Sequence, residues 1–327
     1  MEYFKADKDK IAFGPVPSRR LRKSLGINNI PNKFCSYDCI YCQVGRTLNK
    51  TIKRRAFYKV EDIIQSVEKR INNLKNRNEK IDYITYVPDG EPTLDINLKK
   101  EVEELKKLNI PIAIITNTSL MYREDVRKDL MDFDLVSLKI NAVDGELWKI
   151  IDRPHKDLNL NDILEGILKF KKEFKGKIIT ETMLLDGINY TDEVIKDTAR
   201  FLKKLSPNKC YISIPIRPPA EKIKPANEET INRVFQIFSK IIGLDKIEYL
   251  IGYEGNEFAY SGNIEEDLLS ITSVHPMREE AVEELINKAN VGWDIVERLI
   301  KEDKLIKLEY DNNIFYMRKL KSRSYKK

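Results

Sequence analysis

The amino-acid sequence predicts an open, partial α/β barrel of about six strand–helix units, followed by a small winged-helix-like module. Two observations carry that class. From residue 58 to about 250, short apolar runs alternate with stretches of helical period, as in a parallel sheet joined by right-handed crossovers. Beyond about 250 the period changes, and two helical stretches precede an alternating hairpin. A chain of 327 residues suits one large domain and one small one. The expected bounds are 1–262, with a basic N-terminal extension, and 263–327, with a basic tail.

Residues 24–30 supply the first strand. Val60, Ile63, Ile64, Val67, Ile71 and Leu74 recur at i, i+3, i+4, i+7 spacing, so a helix covers that stretch. Residues 81–87 read as the second strand, stopped by Pro88, Asp89 and Gly90. A helix over 97–108 leads to a strand at 111–116. The same alternation places strands near 133–140, 177–184 and 209–216, and helices near 123–131, 161–175, 192–205 and 228–242. Such a barrel falls short of the closed eightfold form. Further on, 253–259 reads as a loop, 278–289 and 293–302 as helices, and 305–310 with 314–318 as a hairpin turning at 311–313. The second of those helices holds three acids against two bases, which argues for a protein-facing or structural role rather than a DNA groove.

Composition excludes several classes. Hydrophobic residues make up 42% and charged residues 34%, with mean hydropathy −0.46. No uncharged apolar run approaches the roughly 20 residues of a membrane span. The start, MEYFKADKDK, lacks the apolar stretch of a secretory signal, so a cytoplasmic protein without membrane contact is expected. The net charge is +6, and its cations gather at the ends. Residues 1–55 hold 13 Lys/Arg against 4 Asp/Glu, and 317–327 hold six cations and no acid. Basic ends around an acidic body suit an anionic partner such as RNA, although a solvated surface with a basic tail has the same composition.

Four cysteines are no disulfide scaffold, and three of them fall in FCSYDCIYC at 34–42. The spacing C-x3-C-x2-C of Cys35, Cys39 and Cys42 offers three soft thiolates from one loop. They can grip three corners of a [4Fe–4S] cluster and leave the fourth iron open for a small molecule. A structural zinc is the competing reading. It would need Cys210, His155 or His275 as the fourth ligand, and none is near in sequence.

The cysteine signature, with an aromatic residue just before its last cysteine, resembles that of the radical S-adenosylmethionine (radical SAM) enzymes, and the likeness extends over 12–250. GEPT at 90–93 follows the second strand, where that superfamily binds the methionyl amino group. Residues 116–117, 137–141 and 180–183 fall on later strands that contact the cofactor in the family. The resemblance implies one [4Fe–4S] cluster on Cys35, Cys39 and Cys42, and S-adenosylmethionine held by Tyr41, Gly90, Glu91, Pro92, Asn117, Lys139 and Asn141. Glu91 would supply the anion for the ammonium, and an electron donor such as ferredoxin or flavodoxin would be a partner. The implied chemistry is reductive cleavage to methionine and a 5′-deoxyadenosyl radical.

FGPVPSRR at 13–20, KSLGI at 23–27, SLKINA at 137–142 and IDRPH at 151–155 are similar to the branch containing tRNA 4-demethylwyosine synthase. That branch implies modification of an RNA base. The synthase carries a second cluster on three cysteines ahead of the shared motif, and here no cysteine precedes Cys35, so its pyruvate condensation is not expected. A protein, lipid or metabolite substrate, with the C-terminal module docking a protein partner, is the alternative. An iron–sulfur sensor with a DNA-binding winged helix is the non-enzymatic one, and it has no use for GEPT at the barrel mouth.

Catalytic candidates are Cys210, Lys139 and Arg217. Cys210 opens the sixth strand and either faces the lumen or is a small buried hydrophobe. Lys139 ends a strand, where it binds cofactor or substrate or is simply solvated. Arg217, before two prolines, is placed for an anionic group or for a surface turn. His275 reads as a structural linker, and 254–258 as a loop over the mouth.

Overall fold

The structure, a computed structural model, describes residues 3–4, 11–31 and 33–319. Most of the charged N-terminal decapeptide and the tail from 320 lie outside the described residues.

The barrel strands are β1 (Ala12–Ser18), β2 (Arg22–Ile27), β5 (Tyr83–Tyr86), β6 (Ile112–Thr116), β7 (Leu135–Lys139), β8 (Lys177–Met183), β9 (Lys209–Ser213) and β10 (Ile247–Leu250). The short strands β3 (Phe34–Cys35) and β4 (Asn49–Lys50) pair with each other outside that sheet. Helices α1 (Val60–Lys75), α2 (Leu98–Leu105), α3 (Glu124–Asp129), α4 (Gly145–Asp152), α5 (Leu160–Glu173), α6 (Asp192–Leu205) and α7 (Glu228–Ile242) fill the crossovers. The eight-stranded sheet runs β1-β2-β5-β6-β7-β8-β9-β10. Pairing is parallel from β2 to β10 and antiparallel only between β1 and β2. It curls into a half-barrel that contains every expected strand and adds one at each edge.

Strand alternation sorts the side chains. Ile84, Ile112, Ile114, Val136, Leu138, Ile178 and Ile212 face the helices and join the main core. Burying such side chains contributes about 1.5–3 kcal/mol each. Ala113, Leu135, Ile179, Tyr211 and Leu250 point inward and, with Leu21, form a separate apolar plug in the lumen. Further along the same inward rows stand Lys139, Glu181, Met183 and Ser213, which line a cavity at the C-terminal ends of the strands.

The remaining elements are α8 (Ile264–Val274), β11 (Met277–Arg278), α9 (Glu279–Lys288), α10 (Asp294–Lys301), β12 (Leu305–Tyr310) and β13 (Asn313–Arg318). The three strands form a second sheet in the order β11-β13-β12. The expected hairpin turns on only two residues, because Tyr310 already pairs with Asn313. Asp311 and Asn312 both take positive φ, the geometry of a type I′ turn. Phe13 and Val16 of β1 share an apolar cluster with Leu268, Ile271, Leu285, Val296 and Tyr316, so the edge strand serves both sheets. No helix among the described residues is long and apolar enough to cross a membrane.

One buried feature of the helix layer gives stability a pH dependence. Asp95 and Glu101 are both 0% exposed. Burial, and then the charge of Asp95, pushes Glu101 well above the ordinary carboxylate range, while burial raises Asp95 to about 7. The folded pair therefore holds a proton that the unfolded chain gives up above its ordinary pKa of 4.5. Its contribution is complete at acid pH and is lost as pH rises through about 7 and beyond. Urea midpoints at about pH 5 and pH 9 are expected to fall less for Glu101→Gln than for the parent protein; an equal fall would contradict this assignment.

Candidate active site

The connection from β2 to α1 carries the clustered cysteines. The Lys33 carbonyl accepts from the amides of Leu48 and Asn49 at 3.3 and 3.0 Å, and the Cys35 carbonyl accepts from Thr51 at 2.9 Å. These bonds fold the loop back against the sheet. Gly90 is the residue that lets the β5 loop meet it: a Cβ there would lie 2.0 Å from the Phe34 carbonyl oxygen. At this closeness the amide of Glu91 donates to Phe34 O at 3.1 Å, which sets Glu91 beside Cys35.

Cys35, Cys39 and Cys42 are free and half-buried, and all three line a cavity of about 280 Å³. Each sulfur has a different neighbour. Asn117 Nδ2 donates to Cys35 Sγ at 3.4 Å, Lys33 Nζ donates to Cys42 Sγ at 3.6 Å, and Cys39 Sγ lies 3.4 Å from Asp152 Oδ1. Burial pushes the Cys35 thiol up to about 12, with the charge of Glu91 adding to it, and raises Cys39 in the same direction. Thiols so placed stay protonated until a cation compensates them.

Among the described residues, no three His, Cys, Asp or Glu side chains converge tightly enough for a single metal ion. A [4Fe–4S] cubane takes one thiolate per iron and so needs its cysteines spread around one cavity, as they are here. The donor set fits a cluster.

Glu91 is 1% exposed and accepts from every side. Its Oε1 accepts from the hydroxyls of Thr93 and Thr116 at 2.5 and 2.6 Å, and its Oε2 from the Asn117 amide at 2.8 Å. Burial raises its pKa, and these bonds limit the rise. Opposite stands Glu181, paired with Arg20 and with Lys139 at 2.6 Å. Burial alone would push Glu181 up; Lys139 and then Arg20 overcome it and hold the carboxyl at about 2. Lys139 Nζ also lies 5.3 Å from the centre of the Tyr41 ring.

Of the expected cofactor contacts, Tyr41, Gly90, Glu91, Asn117 and Lys139 line the cavity, whereas Pro92 and Asn141 do not. Pro92 is buried in a short 3-10 turn capped by Glu91. Asn141 spends its amide on fold bonds, donating to Tyr41 Oη at 2.8 Å and Asp152 Oδ1 at 2.9 Å and accepting from Met183 N at 3.1 Å. Cys210 is the clearest correction. It is 1% exposed and sits with Ile212 on the helix-facing side of β9, while Ser213 takes the lumen side. It is a core residue.

Arg217 does reach the cavity, but its guanidinium is engaged by Glu254 at 2.7 Å, Gln43 at 3.3 Å and His275 Nε2 at 3.0 Å. Arginine can only donate, so His275 Nε2 accepts. Burial, and then Arg217, hold that imidazole neutral. His275 is therefore part of the cavity wall rather than only a linker. Arg20, Glu181 and Asp152 escaped the sequence reading as single residues, although each lies within a stretch that carried the family resemblance.

A three-cysteine loop and a buried acid, both at the C-terminal mouth of a curled parallel sheet, define a class. Residues 29–202 match the family model described as the Radical SAM superfamily, and the chain belongs to that superfamily of enzymes, which use a [4Fe–4S] cluster and S-adenosylmethionine. More particularly, the chain is 63% identical over 314 residues to the UPF0026 protein MJ1312 of Methanocaldococcus jannaschii, covering 96% of this chain and 97% of that one. It is 35% identical over 225 residues to a UPF0026 protein of Helicobacter pylori strain J99, covering 68% and 71%. A solved structure described as TYW1 with a lysine-pyruvate adduct bound has the same fold, with a TM-score of 0.53 at 14% identity over 72% of this chain and 78% of that one.

Proposed function

We propose that Cys35, Cys39 and Cys42 hold one [4Fe–4S] cluster with an open iron, that Glu91 anchors the ammonium of S-adenosylmethionine beside it, and that the enzyme modifies an RNA base, with tRNA the foremost candidate. The observation that carries this reading is the meeting of all three cysteines, Glu91 and Asn117 on one cavity. When bound, the cluster and its cofactor supply an electron and a 5′-deoxyadenosyl radical. The chain's own residues do the positioning. Glu91, fixed by its hydrogen bonds, offers a directed negative charge to an ammonium. Apolar Phe13, Val87 and Ile115 give an adenine a dry wall. Residues 214–217, with Val274 and His275 at the end of α8, form a further wall that limits water. Residues 263–327 are read as a winged-helix-like module, to which Val274 and His275 of that wall belong.

Charge near the cysteine loop supports a polyanionic substrate. Arg46 and Arg153 share the single carboxylate of Glu221, at 2.7 and 2.9 Å. Asp38 also faces Arg46, at 3.2 Å, while Lys50 donates to the Arg153 carbonyl at 3.1 Å. Lys53, Lys222 and Lys224 are exposed on the flanking segments. Such cations contact phosphates, so RNA binding is expected to weaken steeply with salt. A low-potential donor of the ferredoxin or flavodoxin type would deliver the electron.

The test has two readings. Anaerobically reconstituted, reduced protein is expected to release 5′-deoxyadenosine from S-adenosylmethionine; no nucleoside product would sink the enzymatic chemistry. A deletion strain is expected to lack one modified nucleoside. An unchanged profile with salt-independent tRNA binding would transfer the assignment to a protein, lipid or metabolite substrate.

A further inference from the structure

Lys33 is 1% exposed, a rare place for lysine. Its backbone takes φ +62°, held by a bond from its amide to the Asp89 carbonyl at 3.0 Å and by the two amides that its own carbonyl accepts. The side chain runs inward under the cysteine loop. Nζ donates to the Gly45 carbonyl at 2.6 Å and reaches Cys42 Sγ at 3.6 Å, and Asp89 Oδ1 lies 3.9 Å from it. Among the described residues, neither Cys35 nor Cys39 has a cation at such a distance: the Cys35 sulfur meets a neutral amide and the Cys39 sulfur a carboxyl group. The three sulfurs thus sit in unequal surroundings, and the buried Lys33 ammonium lies against Cys42.

We infer that Lys33 is a positioning residue that raises the reduction potential of the proposed cluster, with Asp89 partly offsetting it. The inference rests on the cluster assignment above. One-electron reduction by a low-potential donor adds negative charge to the cluster, and an ammonium beside a ligating sulfur stabilises that reduced form. Low dielectric in the buried loop leaves the charge little screened. Asp89, 3.9 Å from the ammonium, acts in the opposite sense.

A purely structural lysine, pinning the Gly45 carbonyl, would predict no such pair of opposed effects. The experiment is an EPR-monitored redox titration of the reconstituted holoprotein, without substrate. Lys33→Met is expected to move the midpoint to more negative potential, and Asp89→Asn to move it to more positive potential. Unchanged midpoints, or shifts of the same sign, would overturn the inference. If Lys33→Met assembles no cluster, Lys33→Gln, which can still donate to the Gly45 carbonyl but carries no charge, decides: a more negative midpoint upholds the inference, and an unchanged or more positive one overturns it. A parent protein that assembles no iron–sulfur cluster at all fails at the earlier assignment instead, and iron and sulfide analysis of the same sample separates the two failures.

Discussion

Cys39→Ala, and equally Cys35→Ala or Cys42→Ala, is expected to reduce 5′-deoxyadenosine formation to that of cluster-free protein. Each thiolate holds one corner of the proposed cubane, and among the described residues no fourth cysteine lines the cavity. Among the described residues the remaining cysteine, Cys210, is locked in the helix-facing core and cannot swing into the cavity. The paired control is Cys210→Ala, which should bind the full complement of iron and sulfide and lose only about 1 kcal/mol of stability. Iron, sulfide and nucleoside product measured on the four variants check this. Full activity in any of the three loop variants would refute the ligand assignment, and cluster loss in Cys210→Ala would move Cys210 into the site.

Asp267→Asn is expected to destabilise the protein by about 3–5 kcal/mol, the usual cost of stranding one member of a buried ion pair. Arg70 of α1 reaches Asp267 and Ser261, and also the Ala12 carbonyl at 3.3 Å and the Ser270 hydroxyl at 3.3 Å. Asp267 in turn accepts from the Ser261 amide at 2.8 Å. This network ties α8 to the barrel. Its loss should therefore show as a lower urea midpoint together with early proteolysis beyond residue 250. Replacing both partners by apolar residues, Arg70→Met with Asp267→Leu, should recover much of the loss, since no orphan charge is then left inside. A cost below about 1 kcal/mol for Asp267→Asn would show that water reaches the pair.

The barrel was legible because its crossover helices have one wet face and one dry face, which leaves a strong period. Ile63, Val67, Ile71 and Leu74 of α1 are all buried, and mostly polar or charged residues separate them. Helix α8 was missed for the opposite reason. From Asp267 to Val274 every residue is buried, so no polar face marks the turn of the helix. Strand β1 was hidden by Pro15 and Pro17, which read as punctuation but are tolerated on an edge strand. Helix α4 is short, starts at a glycine and depends on the Asp144 cap.

The site divides in the same way. Cysteines 35, 39 and 42 and the GEPT turn are local in sequence, so their spacing alone drew attention. Contacts such as Arg20 with Glu181 span 161 residues and exist only once the sheet has curled. Which side of a strand a residue takes is equally invisible in an unbroken apolar run, and that uncertainty put Cys210 among the catalytic candidates.

The lumen plug has a bearing on traffic. Leu21, Ala113, Leu135, Ile179, Tyr211 and Leu250 stop the barrel from being a tunnel, and the cavity opens above them. Arrivals and departures must then share the rim that carries the cysteine loop. In a cul-de-sac, occupancy is last in, first out: a bulky substrate seated at the rim detains whatever lies beneath it.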